Sequence, residues 1–345
     1  MDTTAPLSDA AEGSTTAPTL ADYARHSAFS DPGPHADLLR AVGPDPASAG
    51  AAACATIVHY RAGNPELTDE QSADIDRRWL SSILDGAVAR QAGPLAAPRD
   101  HARQVAGCCR DHTLFALGVL RQHGVPARSR IGFAGYFEPP FFHDHVVVEH
   151  WAEGEDDGAG RWVRWDPELT PDGPWDFDVR DMPTGPASPF PTAAEVWQAI
   201  RAGEVDPASY GVAPGIPELG GRDFVRGYVL LELAHRMRDE VLLWDVWGAT
   251  PDDVPGVTEL WAHEARADGA EPSSEPTSDE LDALADEVAA LLVAADAGDT
   301  SAEAALADRY AGRWAARGRV TTLSPTGRVG ITDLASRTTR WAATS

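Results

Sequence analysis

With 345 residues, 43% of them hydrophobic and 24% charged, the chain has the composition of a globular protein with a full-sized core, which excludes a fibre, a coiled coil or a membrane protein. Acidic residues outnumber basic ones by 54 to 28, a net charge of −26 and the wrong sign for a surface that binds nucleic-acid phosphates. Every basic residue other than His is Arg, so a pyridoxal Schiff base and a phosphate-loop lysine are excluded.

Cys54, Cys108 and Cys109 are too few, and odd in number, for a disulfide framework, which fits a reducing compartment. The first 20 residues lack the basic start and apolar core of a signal peptide, and no run of about 18 apolar residues follows. The expectation is a cytoplasmic protein with neither membrane nor nucleic acid as partner.

Residues 1–20, polar and Pro-containing, read as a disordered leader. Between 21 and 100 the runs 51–60 and 69–84 carry helical character, the second with Ile75, Trp79, Ile83 and Leu84 at helix-like spacing. The stretch 111–123 is apolar nearly all round, as a buried central helix would be, with Gly124 and Pro126 ending it. Three strands should follow at 128–133, 144–151 and 161–166, the last two joined as a hairpin through 153–160. A helix followed by closely connected strands is an α+β pattern with an antiparallel sheet.

Beyond a Pro- and Asp-rich loop, 193–202 and 223–247 read as helices and 263–278 as a linker. Thr277 and Glu280 form a capping box ahead of Leu281, Leu284, Val288, Leu291 and Leu292, which mark an amphipathic helix. The last 45 residues hold seven Arg against Glu303, Asp308 and Asp333, a local excess of +4 expected to dock on the acidic body.

Cys109 stands at the start of the central helix, where unpaired N–H groups and the positive helix end should lower a thiol pKa. A thiol nucleophile also needs a base and a group to orient that base. His145 begins a strand whose alternation puts His145, Val147 and Glu149 on one face, and Asp166 ends the next strand. If the two strands pair, base and orienter meet.

The stretches GCCRDHTLFALGVLRQHGVPAR, HVVVEHW and RWVRWDP together resemble the core of the transglutaminase-like superfamily. Its pattern is roughly G-x-C-R-D, an apolar helix, G-I-P-A-R, H-x-W-V-E and W-x-x-x-D-P. The resemblance covers Gly107 to Pro167, with 36 residues from Cys109 to His145 and 21 from His145 to Asp166. It implies a papain-like α+β core, a central helix packed on an antiparallel sheet, with helical N- and C-terminal extensions. It further implies Cys109 as nucleophile, His145 as general base and acid, Asp166 as orienter, and the Cys109 N–H as one oxyanion donor. Val147 departs from the family's aromatic position, and no second oxyanion donor can be named from the sequence. Downstream, RAGEVDPASYG and LLWDVWG are similar to segments of bacterial transglutaminase-domain proteins of similar length.

The implied organisation is a transglutaminase-like domain over 21–262, with its catalytic core at about 100–170, then the linker and a helical extension over 279–345. The implied activity is acyl transfer through a thioester on a peptide, amide or acyl-thioester substrate, hydrolysis ahead of cross-linking, without a cofactor or metal. His143 and Glu149 are secondary candidates for substrate contact, weighed against a solvated loop histidine and a solvated strand carboxylate. Arg110 and Arg128 are expected to form structural ion pairs, Asp111 to complement the helix dipole, and Trp151, Trp162 and Trp165 to pack the sheet. Two other functions compete: a zinc protein using Cys108, Cys109, His143 and His145, and a non-catalytic scaffold of the same fold.

Overall fold

The computed structural model describes residues 16–63, 65–154, 159–186, 188–248, 276–311 and 314–342. The leader up to residue 15, the hairpin tip at 155–158 and most of the linker, 263–275, lie outside the described residues.

Helix α1 (Pro46–Thr56) starts at Asp45, whose carboxylate accepts the Ser48 N–H at 2.9 Å, with Pro at its first position. The helical run expected to reach residue 60 stops at 56. There the β-branched pair Ile57 and Val58 enters strand β1 (Ile57–His59), which lies parallel to β2 (Val105–Gly107) with His59 opposite Gly107. The helix expected over 69–84 is two helices, α2 (Asp69–Asp74) and α3 (Leu80–Arg90). In the break between them Arg77 turns back to Asp74, and Arg78 reaches Asp245 at 2.7 Å.

The central helix α4 (Cys109–Gln122) is buried from Cys109 through Arg121, as its unbroken apolar circumference requires. Gly118 allows its closest contact: a Cβ there would stand 2.2 Å from the Leu80 side chain. The helix ends at Gly124, in the left-handed region with φ +75°.

The three expected strands form as β3 (Ala127–Glu138), β4 (Phe141–Ala152) and β5 (Arg161–Trp165), antiparallel and in that order, with two-residue β6 (Tyr210–Gly211) parallel to the start of β4. Val146 and Val148 belong to the main core with the central helix. Val147 points the other way, into a smaller cluster with Ala134, Met182 and Phe190. This alternation makes β4 a wall with a packed face and a face on which His145 and Glu149 stand.

Helix α5 (Ala193–Ala202) matches its expected span. Helix α6 (Gly221–Arg236) ends well short of 247, because Arg238 adopts φ 66° and turns the chain toward a short strand, β7 (Asp245–Val246). Helix α7 (Ser278–Asp296) opens on the Thr277–Glu280 capping box and is followed by α8 (Thr300–Arg309).

The C-terminal extension is not wholly helical. Strands β8 (Arg319–Leu323), β9 (Val329–Asp333) and β10 (Thr338–Trp341) form an antiparallel meander with β7 on its other edge. Threonines drive that choice: branching at Cβ favours strands, and the Thr322, Thr332 and Thr339 hydroxyls link the three strands at 2.9 Å each.

The polarity of docking is also largely reversed. The extension offers acids to arginines of the body: Asp282 to Arg222 and Arg226, Asp286 to Arg201, Asp296 to Arg130 and Arg236, and Glu303 to Arg236. Of its own arginines, Arg317 meets Asp239 at 3.5 Å, whereas Arg309 pairs with Glu287 inside the extension. The architecture is thus mixed α and β with antiparallel sheets and several helices, and no helix among the described residues is long and apolar enough to cross a membrane.

Candidate active site

Three separate stretches of chain converge at the N-terminal end of the central helix. Cys109 is its first residue, so its backbone N–H has no intrahelical acceptor. Asp111 fixes the entry by accepting the Cys108 N–H at 2.9 Å. Gly107 permits this fold-back: a Cβ there would lie 2.8 Å from the Asp111 side chain. Arg110 is buried and spends its guanidinium on Asp111 at 2.9 Å and on the carbonyls of Arg78 and Glu240. Its role is structural, as its sequence context suggested.

His145 and Asp166 meet as strand pairing predicts. Val148 lies opposite Trp165, and this register brings the residue after β5 beside the first half of β4. The His145 Nε2 stands 2.7 Å from Asp166 Oδ2, and both side chains are almost wholly buried. Asp166 is held further by the Tyr136 hydroxyl, which donates to Oδ2 at 2.6 Å, and by the Glu168 N–H, which donates to Oδ1 at 2.9 Å.

Burial alone would lower the His145 pKa, but the charge and hydrogen bond of Asp166 outweigh it, and the net direction is upward. For Asp166, burial works toward a higher pKa, while His145 and the Tyr136 hydrogen bond bring it below the ordinary carboxylate range.

Glu168, two residues past Asp166, bridges this pair to the cysteine. One set of side-chain atoms within 4.8 Å of one another comprises His145, Asp166 and Glu168, and a second comprises His59, Cys109 and Glu168. Among the described residues no hydrogen bond joins Cys109 directly to His145. Glu168 Oε1 is buried without a hydrogen-bond partner among the described residues, and Oε2 lies 3.7 Å from His112 Nδ1.

The expectation of a lowered Cys109 pKa is overturned. The hydrogen bond with Cys108, burial, and the charges of Cys108, Glu168 and Asp144 together push the Cys109 thiol well above its usual range. A helix terminus is a partial charge, and here it faces whole carboxylates in a dry site. Cys54 is pushed up to about 12 by burial and by Glu168 and Asp166, and its thiol donates to the Pro167 carbonyl at 3.4 Å, so it behaves as an inert small side chain.

His143 lies on β4, not in a loop; its Nδ1 is 3.0 Å from the Val212 carbonyl and its ring packs on Phe141. Glu149 is not solvated. Its Cα partners across the sheet are Arg128 and Arg164, and its carboxylate meets Arg128 at 2.8 Å and Arg164 at 2.9 Å. Burial opposes ionisation, yet Arg130, Arg128 and Arg164 hold its pKa at about 2. Trp162 stacks under the Arg128 guanidinium at 4.1 Å, and Trp165 is fully buried.

The four-ligand zinc set of Cys108, Cys109, His143 and His145 does not assemble among the described residues. The His59–Cys109–Glu168 group is a poor metal cage as well. His59 Nδ1 accepts the backbone N–H groups of Arg61 at 3.2 Å and Ala62 at 3.1 Å, which leaves the ring proton on Nε2 and no lone pair there for a metal.

The sequence reading did not select His59, Tyr136 or Glu168. Glu168 was within reach, two residues past the motif aspartate, but nothing local to His59, 50 residues before Cys109, signals its arrival. It arrives because β1 lies beside β2.

No family model and no curated protein matches the chain. Among solved structures it resembles one from Cytophaga hutchinsonii, a protein provisionally named a cysteine protease, at 15% identity and a TM-score of 0.27. The match covers 42% of this chain and 40% of that one.

Proposed function

We propose that the protein is a cysteine-dependent acyl-transfer enzyme with a transglutaminase-like core, in which Cys109 is the nucleophile, His145 the proton carrier and Asp166 its orienter. The observation that carries the reading is the buried 2.7 Å contact between His145 and Asp166 at the mouth of a helix that begins with a cysteine. With Nε2 committed to Asp166, His145 keeps Nδ1 for the thiol proton. That is the division of labour a base–orienter pair requires. A thiol held protonated by its surroundings must be deprotonated at the moment of attack, so the reading depends on His145 more than a preformed thiolate would.

In the first step the Cys109 sulfur pair forms a bond to the substrate carbonyl carbon, the thiol proton passes to His145, and the C=O π pair moves onto oxygen. The oxygen pair then returns, the C–N, C–O or C–S bond of the substrate breaks, and the leaving amine, alcohol or thiol departs with the proton from His145. A thioester remains on Cys109; water or an amine, giving its proton to His145, bonds to the acyl carbon, the C–S bond breaks, and the Cys109 sulfur takes the proton back from His145. A peptide, amide or acyl-thioester substrate fits this scheme, with hydrolysis ahead of cross-linking.

In this reading residues 21–262 form the catalytic unit. The 279–345 extension is integral to it, since β7 of the body supplies one edge of the C-terminal sheet.

The test is intact-mass detection of a covalent acyl adduct after exposure to activated esters and amides. Wild-type protein is expected to gain one acyl group, and Cys109→Ala none, with turnover reduced to background. Adduct formation or turnover unchanged in Cys109→Ala would refute the proposal.

A further inference from the structure

Resting on that reading, we infer that His59 is the second oxyanion donor, its Nε2–H acting with the Cys109 backbone N–H on the carbonyl oxygen of the substrate. The first observation is the tautomer. Backbone N–H groups can only donate, and two of them, from Arg61 and Ala62, converge on His59 Nδ1 at 3.2 and 3.1 Å, so the ring proton resides on Nε2.

The second observation is that this N–H is unused: no hydrogen bond from His59 Nε2 occurs among the described residues. The third is position. A His59 ring nitrogen lies within 4.8 Å of Cys109 Sγ, and the strand that carries it is clamped beside the nucleophile by the His59–Gly107 pairing and by the Tyr60 N–H, which donates to the Gly107 carbonyl at 2.9 Å.

The ring plane is fixed by stacking on Tyr60, with centroids 5.7 Å apart, and on His112 at 6.3 Å. Burial keeps the His59 pKa below its ordinary value, with the charges of Glu168 and Asp111 acting against that and those of His112 and His145 with it, so the ring is neutral where it works.

An oxyanion forms when the sulfur pair bonds to the carbonyl carbon and the π pair shifts to oxygen. A preorganised N–H aimed at that oxygen stabilises the transition state with little reorganisation. A neutral imidazole suits the task, because a charged one would compete for the substrate's ground-state carbonyl and for Glu168 as well. The bond to oxygen is a hydrogen bond only, and the His59 proton is not transferred.

The experiment compares two reactions of the same sulfur. Acetylation of Cys109 by p-nitrophenyl acetate passes through an oxyanion, whereas alkylation by iodoacetamide is a displacement that forms none. His59→Ala is expected to slow acetylation by about 100-fold while leaving the alkylation rate within about twofold. His59→Gln retains an acceptor oxygen and a donor nitrogen, and should recover about tenfold of the acetylation loss.

Equal slowing of both reactions would place His59 on the thiol and overturn the inference. So would acetylation unchanged in His59→Ala or, should that variant not fold, a Gln variant whose acetylation and alkylation fall together. A wild-type Cys109 that takes neither reagent would instead sink the proposed function itself, a separate outcome visible before any His59 variant is made.

Discussion

Two ends of one strand face carry buried charge, and they differ in how completely that charge is satisfied. At Glu149 the carboxylate faces Arg128 and Arg164 across the sheet, and Arg130 is tied in turn to Glu232 at 2.9 Å and to Asp296. At His145, four residues earlier, the neighbouring Glu168 Oε1 and the His59 N–H have no hydrogen-bond partner among the described residues, and the Cys109 thiol is held protonated by its surroundings. Leaving a buried polar group such as Glu168 Oε1 unpaired costs about 1–3 kcal/mol. The Glu149 carboxylate is fully engaged by arginines, though Arg130 Nε beside it is without a partner among the described residues, and that arrangement is structural; the looser pairing around Cys109 leaves groups that a substrate can meet.

The sharpest way to break the contrast is at Asp166. Asp166→Asn keeps the shape but removes the charge that raises His145 and selects its tautomer, and kcat should fall by about 1,000- to 10,000-fold. Its pH profile carries the sign. With His145 raised, the wild-type acid limb should lie above the ordinary 6.5. In the variant, burial dominates and the limb should move below it. Steady-state rates across pH check both; a limb that stays in place would separate His145 from the activity.

At the other end, Glu149→Gln should leave Cys109 alkylation unchanged but destabilise the protein by about 3–5 kcal/mol in denaturant unfolding, because three buried guanidinium groups lose their common anion. The sign of the pH effect follows from the lowered pKa. Glu149 contributes stability fully above its ordinary 4.5, and that contribution is lost as pH falls from 4.5 toward about 2. The variant should lack that segment of the acid unfolding curve.

A smaller effect is expected at Glu168. Removing its charge in Glu168→Gln takes away one cause of the raised Cys109 pKa, so the pH profile of alkylation should move down. The smallest is His143→Ala, which loses one contact to the Val212 carbonyl: about 1 kcal/mol of stability, with acylation retained.

Much of this organisation was legible in the chain. The central helix could be read because its apolar circumference leaves no exposed solution, and the three strands because they alternate between two environments. Their order then required His145 and Asp166 to meet. The short pieces were not legible. The run 57–59 is too brief to declare a strand, and it becomes one only because β2 lies beside it. The meander over 319–341 follows from threonines whose partners are ten and seven residues away. Glu149 read as a solvated carboxylate because its three arginines come from the two neighbouring strands, Arg128 and Arg130 from β3 and Arg164 from β5.

The amino-acid order by itself determined the helix that begins with Cys109 and the meeting of His145 with Asp166, since both follow from periodicity along a few adjacent elements. Only the tertiary structure decided the charge state of the thiol, the saturation of Glu149 and the arrival of His59. Those depend on burial and on distances of a few ångströms between residues far apart in the chain, and electrostatic energies in a dry interior are set by such distances rather than by sequence neighbours.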